Sequence, residues 1–311
     1  MSKPKKLMLM ATVLLLCLGI FLLLSSGNGE KSTTEMPIQV STTEPDQVSA
    51  LSWDVGGRTV SFRRDGTEWV CTSEKHFPTD STSGLWADML QALSSVTASR
   101  YLETVDDPAE YGLDLPRNVI SAVLSDGTML TWTIGAQNAV TGEYYLQLEG
   151  DPGVYLIDST LPDAFRFGLF DLVLEDELPD LSDATVYQLE KSIYYRVLQE
   201  DGSTRWCRDA AGKQPLEETV SNRLSNGLTA LQWSACIDFY ADSDEVRSYE
   251  YNLEHGKTAT ITYPVSDGQT AQYTLIIGNM YDETHTIVSP ADSDLVYTID
   301  QTVADALLLC P

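Results

Sequence analysis

A chain of 311 residues has room for about two domains, and its 43% hydrophobic and 21% charged content is that of folded protein. Forty-six acidic residues against 19 basic give a formal net charge of -27. Such a field repels phosphate backbones and anionic headgroups, which argues against nucleic acid as a partner.

The first element expected is a membrane anchor. Lys3, Lys5 and Lys6 precede an apolar run from Leu7 to Leu24, broken only by Thr12, Cys17 and Gly19. At helical rise it spans roughly 27 Å, close to the thickness of a bilayer core. The lysines place the N-terminus in the cytoplasm and send the rest outside. Ser25-Ser26-Gly27 would also suit a cleaved signal peptide, but the run is long for one and lacks an A-x-A site. Residues 1–27 are therefore expected as cytoplasmic tip and uncleaved anchor, with the lipid bilayer as partner through Leu7 to Leu24. Cys17 lies mid-run behind the bulky Leu16 and does not read as a lipid-modified cysteine. From Ser25 to Ala50 the chain is rich in Ser, Thr, Gly, Pro and Glu, so residues 28–52 are expected as a flexible stalk.

Folded sequence is expected from near Leu51-Ser52-Trp53. Arg58–Arg64 and Glu68–Thr72 flank Asp65-Gly66, a hairpin signal. Asp80 to Thr97 carries Leu85, Met89, Leu93 and Val96 at helical spacing, widened by Trp86 and Leu90. A short strand near Tyr101–Val105 follows. Asp107-Pro108 through Gly112 reads as one helical turn, with an aspartate cap, proline at its first position and a terminating glycine. Val119–Leu124 and Thr128–Ile134 form a second hairpin around Asp126-Gly127, with Leu130, Trp132 and Ile134 on its apolar face. Strands at Tyr144–Leu148 and Val154–Ile157 precede a short helix near Leu161.

The same order then returns. Val154 to Ala164 recurs as Val296 to Ala306, 142 residues on, with seven of eleven positions identical. Ser125-Asp126-Gly127 with Gly135 is echoed by Ser266-Asp267-Gly268 with Gly278, and Asp65-Gly66, Trp69 and Cys71 by Asp201-Gly202, Trp206 and Cys207. A period this long implies two domain-sized units rather than a solenoid. In the second, Tyr194–Leu198 and Arg205–Arg208 pair around Asp201-Gly202. Pro215 opens a helix with Leu216, Val220, Leu224, Leu228 and Leu231, and Thr258–Tyr263 pairs with Thr270–Ile277. Thr286–Ser289, Val296–Ile299 and a last helix ending at Leu309-Cys310 complete it. The fold class expected is α+β: an N-terminal transmembrane helix, then two related antiparallel-sheet-plus-helix units over 53–181 and 182–311.

Asp65-Gly66 with Trp69, Tyr111-Gly112-Leu113-Asp114-Leu115-Pro116, Asp126-Gly127, Ile134-Gly135 and Val154-Tyr155 resemble the bacterial domain-of-unknown-function family numbered 4340. The resemblance covers about Arg58 to Asp158 and, more loosely, the second copy. There Tyr251-Asn252-Leu253-Glu254 replaces the specific stretch, with Asn252 expected in the left-handed conformation of Gly112. The resemblance implies a membrane-tethered envelope protein, sometimes linked with transporter-like systems such as those of gliding motility. It supplies no catalytic residues.

Candidate chemistry is sparse. The repeated Asp158 and Asp300 precede Thr160-x-x-Asp163 and Thr302-x-x-Asp305, which fit capping boxes at helix starts. Asp106-Asp107, Glu175-Asp176-Glu177 and Asp242/Asp244/Glu245 lack the spacing of a calcium loop and read as solvated charge. His76, His255 and His285 form no H-E-x-x-H pattern, and no G-x-S-x-G elbow or phosphate loop occurs. Four cysteines beyond the membrane run, Cys71, Cys207, Cys236 and Cys310, allow three pairings. Cys71 and Cys207 occupy matching places and are expected as buried thiols. In Tyr144-Tyr145 and Tyr194-Tyr195 one ring of each pair is expected in the core.

No catalytic, cofactor-binding or metal-binding residue is therefore assigned. The expected function is a non-catalytic binding or scaffolding component of the cell envelope, anchored outside the membrane, with envelope or transporter proteins as partners. The alternative is an envelope hydrolase with a site between the two units.

Overall fold

The computed structural model describes residues 36–239 and 253–309. No helix among them is long and apolar enough to cross a membrane, and the run from Leu7 to Leu24 lies outside them. Cys310, Asn252 and the Asp242/Asp244/Glu245 group lie outside them too.

The first part of the chain contributes β1 (Ile38–Thr42), β2 (Val48–Val55), β3 (Arg58–Asp65), β4 (Glu68–Cys71), α1 (Gly84–Ser94), β5 (Ser95–Ala98), β6 (Arg100–Leu102), β7 (Asn118–Leu124), β8 (Met129–Gln137), β9 (Tyr144–Leu148), β10 (Val154–Ile157) and α2 (Thr160–Ala164). After a 3-10 turn at Leu169–Leu172 come β11 (Val186–Leu189), β12 (Ser192–Leu198), β13 (Thr204–Cys207), α3 (Glu218–Ala230), β14 (Ala235–Phe239), β15 (Lys257–Pro264), β16 (Thr270–Met280), β17 (His285–Pro290), β18 (Leu295–Asp300) and α4 (Gln301–Leu307). Most of this is antiparallel sheet with few helices.

Two eight-stranded sheets result. The first has the order β4-β3-β2-β7-β8-β9-β10-β6 and the second β13-β12-β11-β15-β16-β17-β18-β14. Taken strand by strand, these are one topology written twice. The register agrees in detail: β8 shifts against β9 between Ile134 and Gln137, and β16 against β17 between Ile277 and Met280. Gly135 and Gly278 therefore sit at the same place in the same irregularity. Tyr155 faces Leu146 across its ladder and Tyr297 faces Val288.

Two expectations need correction. The stalk expected over 28–52 contains β1, a 3-10 turn at Pro45–Gln47 and the start of β2. Polar composition hid the few apolar residues that decide the matter: Val48 and Leu51 are buried, and β1 pairs along β5. The helix expected to reach Thr97 stops at Ser94, and Val96 is buried from a strand instead. β-branched Val96 and Thr97 suit the pleat, and β1 waits there to pair. β11 and β14, short and mixed in composition, also escaped the sequence pattern.

Each sheet buries one face. In the first, Trp53, Phe62, Ile120, Trp132, Ile134 and Leu146 point inward and are all but inaccessible. α1 covers them with Trp86, Met89 and Leu93, held at its start by Ser83, whose hydroxyl accepts the Leu85 N–H. In the second, α3 presents Leu224 and Leu228 to Tyr187, Trp206, Ile261 and Leu275. A single hydrophobic cluster runs through both sheets. The two therefore pack as neighbours rather than as beads on a string.

The specific Tyr111-Gly112-Leu113 stretch acquires a physical reason. Asp107 caps a 3-10 turn at Pro108–Tyr111, and Gly112 ends it at φ 68°, a conformation that costs a side-chain-bearing residue about 1–2 kcal/mol. The turn then lies flat on β8, where the main chain of Gly135 passes beneath the Tyr111 carbonyl with no room for a Cβ. In the second half Gly256, directly after the 3-10 turn Leu253–His255, makes the close approach to Ile276 and Ile277 of β16.

Candidate functional site

The inter-sheet joint gathers the most polar chemistry. A cleft of about 500 Å³ is lined by His76, Glu175, Asp176, Glu177, Asp292, Ser293 and Asp294, with Leu174, Phe239 and Leu295 among its apolar walls. Of the Glu175-Asp176-Glu177 group expected as solvated loop charge, Glu175 and Glu177 are exposed, while Asp176 is half-buried and takes part in four hydrogen bonds. The Asp176 carboxylate accepts from the Ser293 hydroxyl at 2.5 Å and the Tyr297 hydroxyl at 3.0 Å. Its main-chain N–H donates to the Tyr297 oxygen at 2.7 Å, and its carbonyl accepts the Trp233 indole N–H at 3.0 Å. Trp233 stacks on Tyr297 with centroids 4.3 Å apart. Phe77 from the first half meets Phe239 of β14 edge to face at 5.5 Å.

A histidine, a carboxylate and a serine line this one cleft, and the serine is bonded to the carboxylate and to the main chain. A hydroxyl has one proton to give, and Ser293 gives it to Asp176; its oxygen accepts the Leu295 N–H at 2.9 Å. That pattern closes a turn. Cys236 lines a neighbouring cleft with Asp80, Asp171 and Glu175, and its thiol is pushed up to about 12, first by burial, with the Glu175, Asp238 and Asp176 carboxylates adding to the rise. At neutral pH it is a thiol, which is a poor nucleophile.

The other singled-out residues are dispersed. His76 lies in the cleft at φ 62°. His285 pairs with Asp282 at 3.0 Å on the far hairpin, where the Thr284 N–H and then His285 hold that carboxyl down near 2. His255 is exposed on its 3-10 turn. Asp107 is a cap. Asp158 and Asp300 do serve helix starts, but the expected boxes centred on Thr160 and Thr302 are not how the ends close. The aspartates themselves accept the N–H two residues on, from Thr160 at 2.9 Å and Thr302 at 2.7 Å. An Asp side chain accepts the N–H two residues on in a local turn, which satisfies the Thr N–H at the start of each helix. Among the described residues no group of three or more His, Cys, Asp and Glu side chains is placed to hold a metal ion. Cys71, Cys207 and Cys236 are free and buried. Tyr144 and Tyr194 are buried while Tyr145 and Tyr195 are half-exposed, as alternation along a strand requires.

Ser293 and Trp233 are the residues that sequence reasoning missed, and Asp176 was read there only as solvated charge. Their signal was faint but present: the 142-residue offset that aligns Tyr155 with Tyr297 puts Ser293 where the first unit has Asp151. In the first unit Asp151 accepts from Tyr155 at 2.7 Å, Tyr101 at 2.7 Å and the Gly153 N–H at 2.9 Å.

No curated protein and no solved structure matches the chain. The family described as Domain of unknown function (DUF4340) matches residues 69–253, from the edge strand β4 to the 3-10 turn before β15, well over half the chain and part of both sheets. The chain belongs to that family.

Proposed function

We propose that the protein is a single-pass, membrane-anchored extracytoplasmic component of the bacterial cell envelope that binds or scaffolds other proteins without catalysis. Residues 1–27 form the cytoplasmic tip and anchor. The units 53–181 and 182–311 arose by tandem duplication, a reading supported by the shared strand order and the shared bulge in β8 and β16. The partners are envelope proteins, including those of a transporter-like system. A net charge of -27 speaks against nucleic acid.

One observation carries the non-catalytic reading. The polar groups best placed for chemistry between the sheets, Ser293, Tyr297 and Asp176, are bonded to one another as a joint. The competing hydrolase reading draws on His76 and Ser293 lining one cleft. Labelling of Ser293 by a fluorophosphonate probe in membranes would favour the hydrolase; an unlabelled Ser293 keeps the scaffold. Protease added to intact spheroplasts tests the topology. Digestion of the large domain is expected, full protection would overturn the orientation, and release of a soluble form beginning near Asn28 would favour a cleaved signal.

A further inference from the structure

We infer that the linker between the sheets is a fixed strap: its Asp176 supplies the second sheet with the carboxylate that the first sheet carries itself at Asp151. The equivalence follows from register, because Tyr155 and Tyr297 hold the same ladder position in β10 and β18. Four residues before each lies the turn residue, Asp151 in one case and Ser293 in the other. Both keep the turn bond, Asp151 accepting the Gly153 N–H and Ser293 the Leu295 N–H, each at 2.9 Å. Only Asp151 also has an oxygen left for its tyrosine. Ser293 brings a single oxygen where Asp151 brings two, and Asp176 reaches in from the linker to accept from both Ser293 and Tyr297.

The aromatic partner is rebuilt in the same way. Tyr101 lies on Tyr155 with centroids 4.6 Å apart and bonds Asp151. In the second sheet the residue paired with Tyr297 is Cys236, too short for that task. Trp233 takes it over, stacking on Tyr297 and donating to the Asp176 carbonyl. The first sheet is thus self-sufficient at this corner, and the second is complete only with the linker in place. The strap makes the two sheets one cooperative body, and the acidic cleft is a closed joint rather than a hinge.

Hydrogen exchange on the full chain in detergent tests this. In Asp176→Ala, amides of β14 and β18 should exchange about tenfold faster, the loss of a charge-assisted bond, while β9 and β10 stay as in the wild type. Adding Ser293→Asp, which restores the arrangement of the first sheet, should return β18 to within about threefold of wild type. If Asp176→Ala does not accumulate, Asp176→Asn, which keeps one acceptor oxygen, should show a rise of about threefold in the same strands. Unchanged exchange in the Asp176 variant, a uniform rise over both sheets, or further loss on adding Ser293→Asp would each overturn the strap.

Discussion

The two sheets share a strand order but pack the rings beneath their helices at different closeness. Under α1 the filling is aromatic: Trp86 stacks on Trp69 at 4.7 Å and meets Phe62 edge-on at 4.9 Å, and Trp53 stacks on Phe62 at 5.7 Å. Under α3 the rings stand farther apart among aliphatic side chains, with Tyr187 6.4 Å from both Trp206 and Tyr194, and α3 itself comes close enough to α4 for Gly227 to touch Ala306. What does not vary is the set of main-chain ties. The Trp69 N–H on edge strand β4 is taken by Ser81 at 2.9 Å, and the Trp206 N–H on edge strand β13 by Ser221 at 3.0 Å. Arg64 donates to the Pro45 carbonyl and Arg196 to that of Ser182, each fixing the segment that enters its sheet. Edge-strand donors need partners whatever fills the core, whereas a core accepts many fillings of the same volume.

That contrast can be broken most forcefully at the aromatic centre. Trp86→Ala should cost about 3–5 kcal/mol in a denaturant titration of the full chain, because it unstacks Trp69 and exposes Phe62 together. Leu224→Ala should cost toward the lower end of about 2–5 kcal/mol, since neighbouring leucines can close the gap. Equal losses would mean that the two fillings are energetically alike and the contrast is only one of appearance. Next comes Gly135→Ala at about 3 kcal/mol, because the new methyl meets the main chain of Tyr111, which cannot swing aside as a side chain would.

Gly227→Ala sharpens the comparison from the second sheet. Its Cβ would stand 2.7 Å from that of Ala306, an overpacking that costs about 1–3 kcal/mol. Alanine also recovers about 1 kcal/mol of helix propensity, leaving a net loss of about 1 kcal/mol. In an Ala306→Gly background the same substitution should become neutral or stabilising. A loss that persists there would show that the α3–α4 approach does not depend on this pair.

How much of this was legible in the sequence depended on which residues announce themselves. Asp-Gly corners were readable because both residues act locally: Asp126 and Asp201 accept the N–H two residues on, at 2.8 and 2.9 Å, and the glycine takes the positive φ that follows. β9 and β10 were placed to the residue, since alternation and flanking turns agree there. β1, β5 and β14 were not, because each is short and holds its place through a partner far along the chain. The joint was illegible for the same reason. Asp176 looks like one carboxylate among three in a row, and only the return of β18 beneath it makes it different from Glu175 and Glu177.

The smallest effects lie at the extremes of pH, and they distinguish the two tyrosine corners. Asp151 is held below the ordinary carboxyl range by the Gly153 N–H first, then by Tyr155 and Tyr101. Its folded value is lowered, so its contribution is complete above the unfolded value of about 4 and is lost as pH falls through the folded value. Tyr155 is pushed up to about 12 by burial and by its bond to Asp151. Its contribution is complete below the ordinary value of about 10 and is lost as pH rises through about 12. Burial likewise raises Tyr297, whose acceptor is Asp176. Tyr155→Phe should therefore remove one alkaline step in the tyrosinate absorbance and also weaken the acid limb, since Asp151 loses a donor. Tyr297→Phe should remove an alkaline step and leave the Asp151 acid limb where it was. If both substitutions move the acid limb equally, the two corners are coupled through the core, and their carboxylates cannot be assigned one to each sheet.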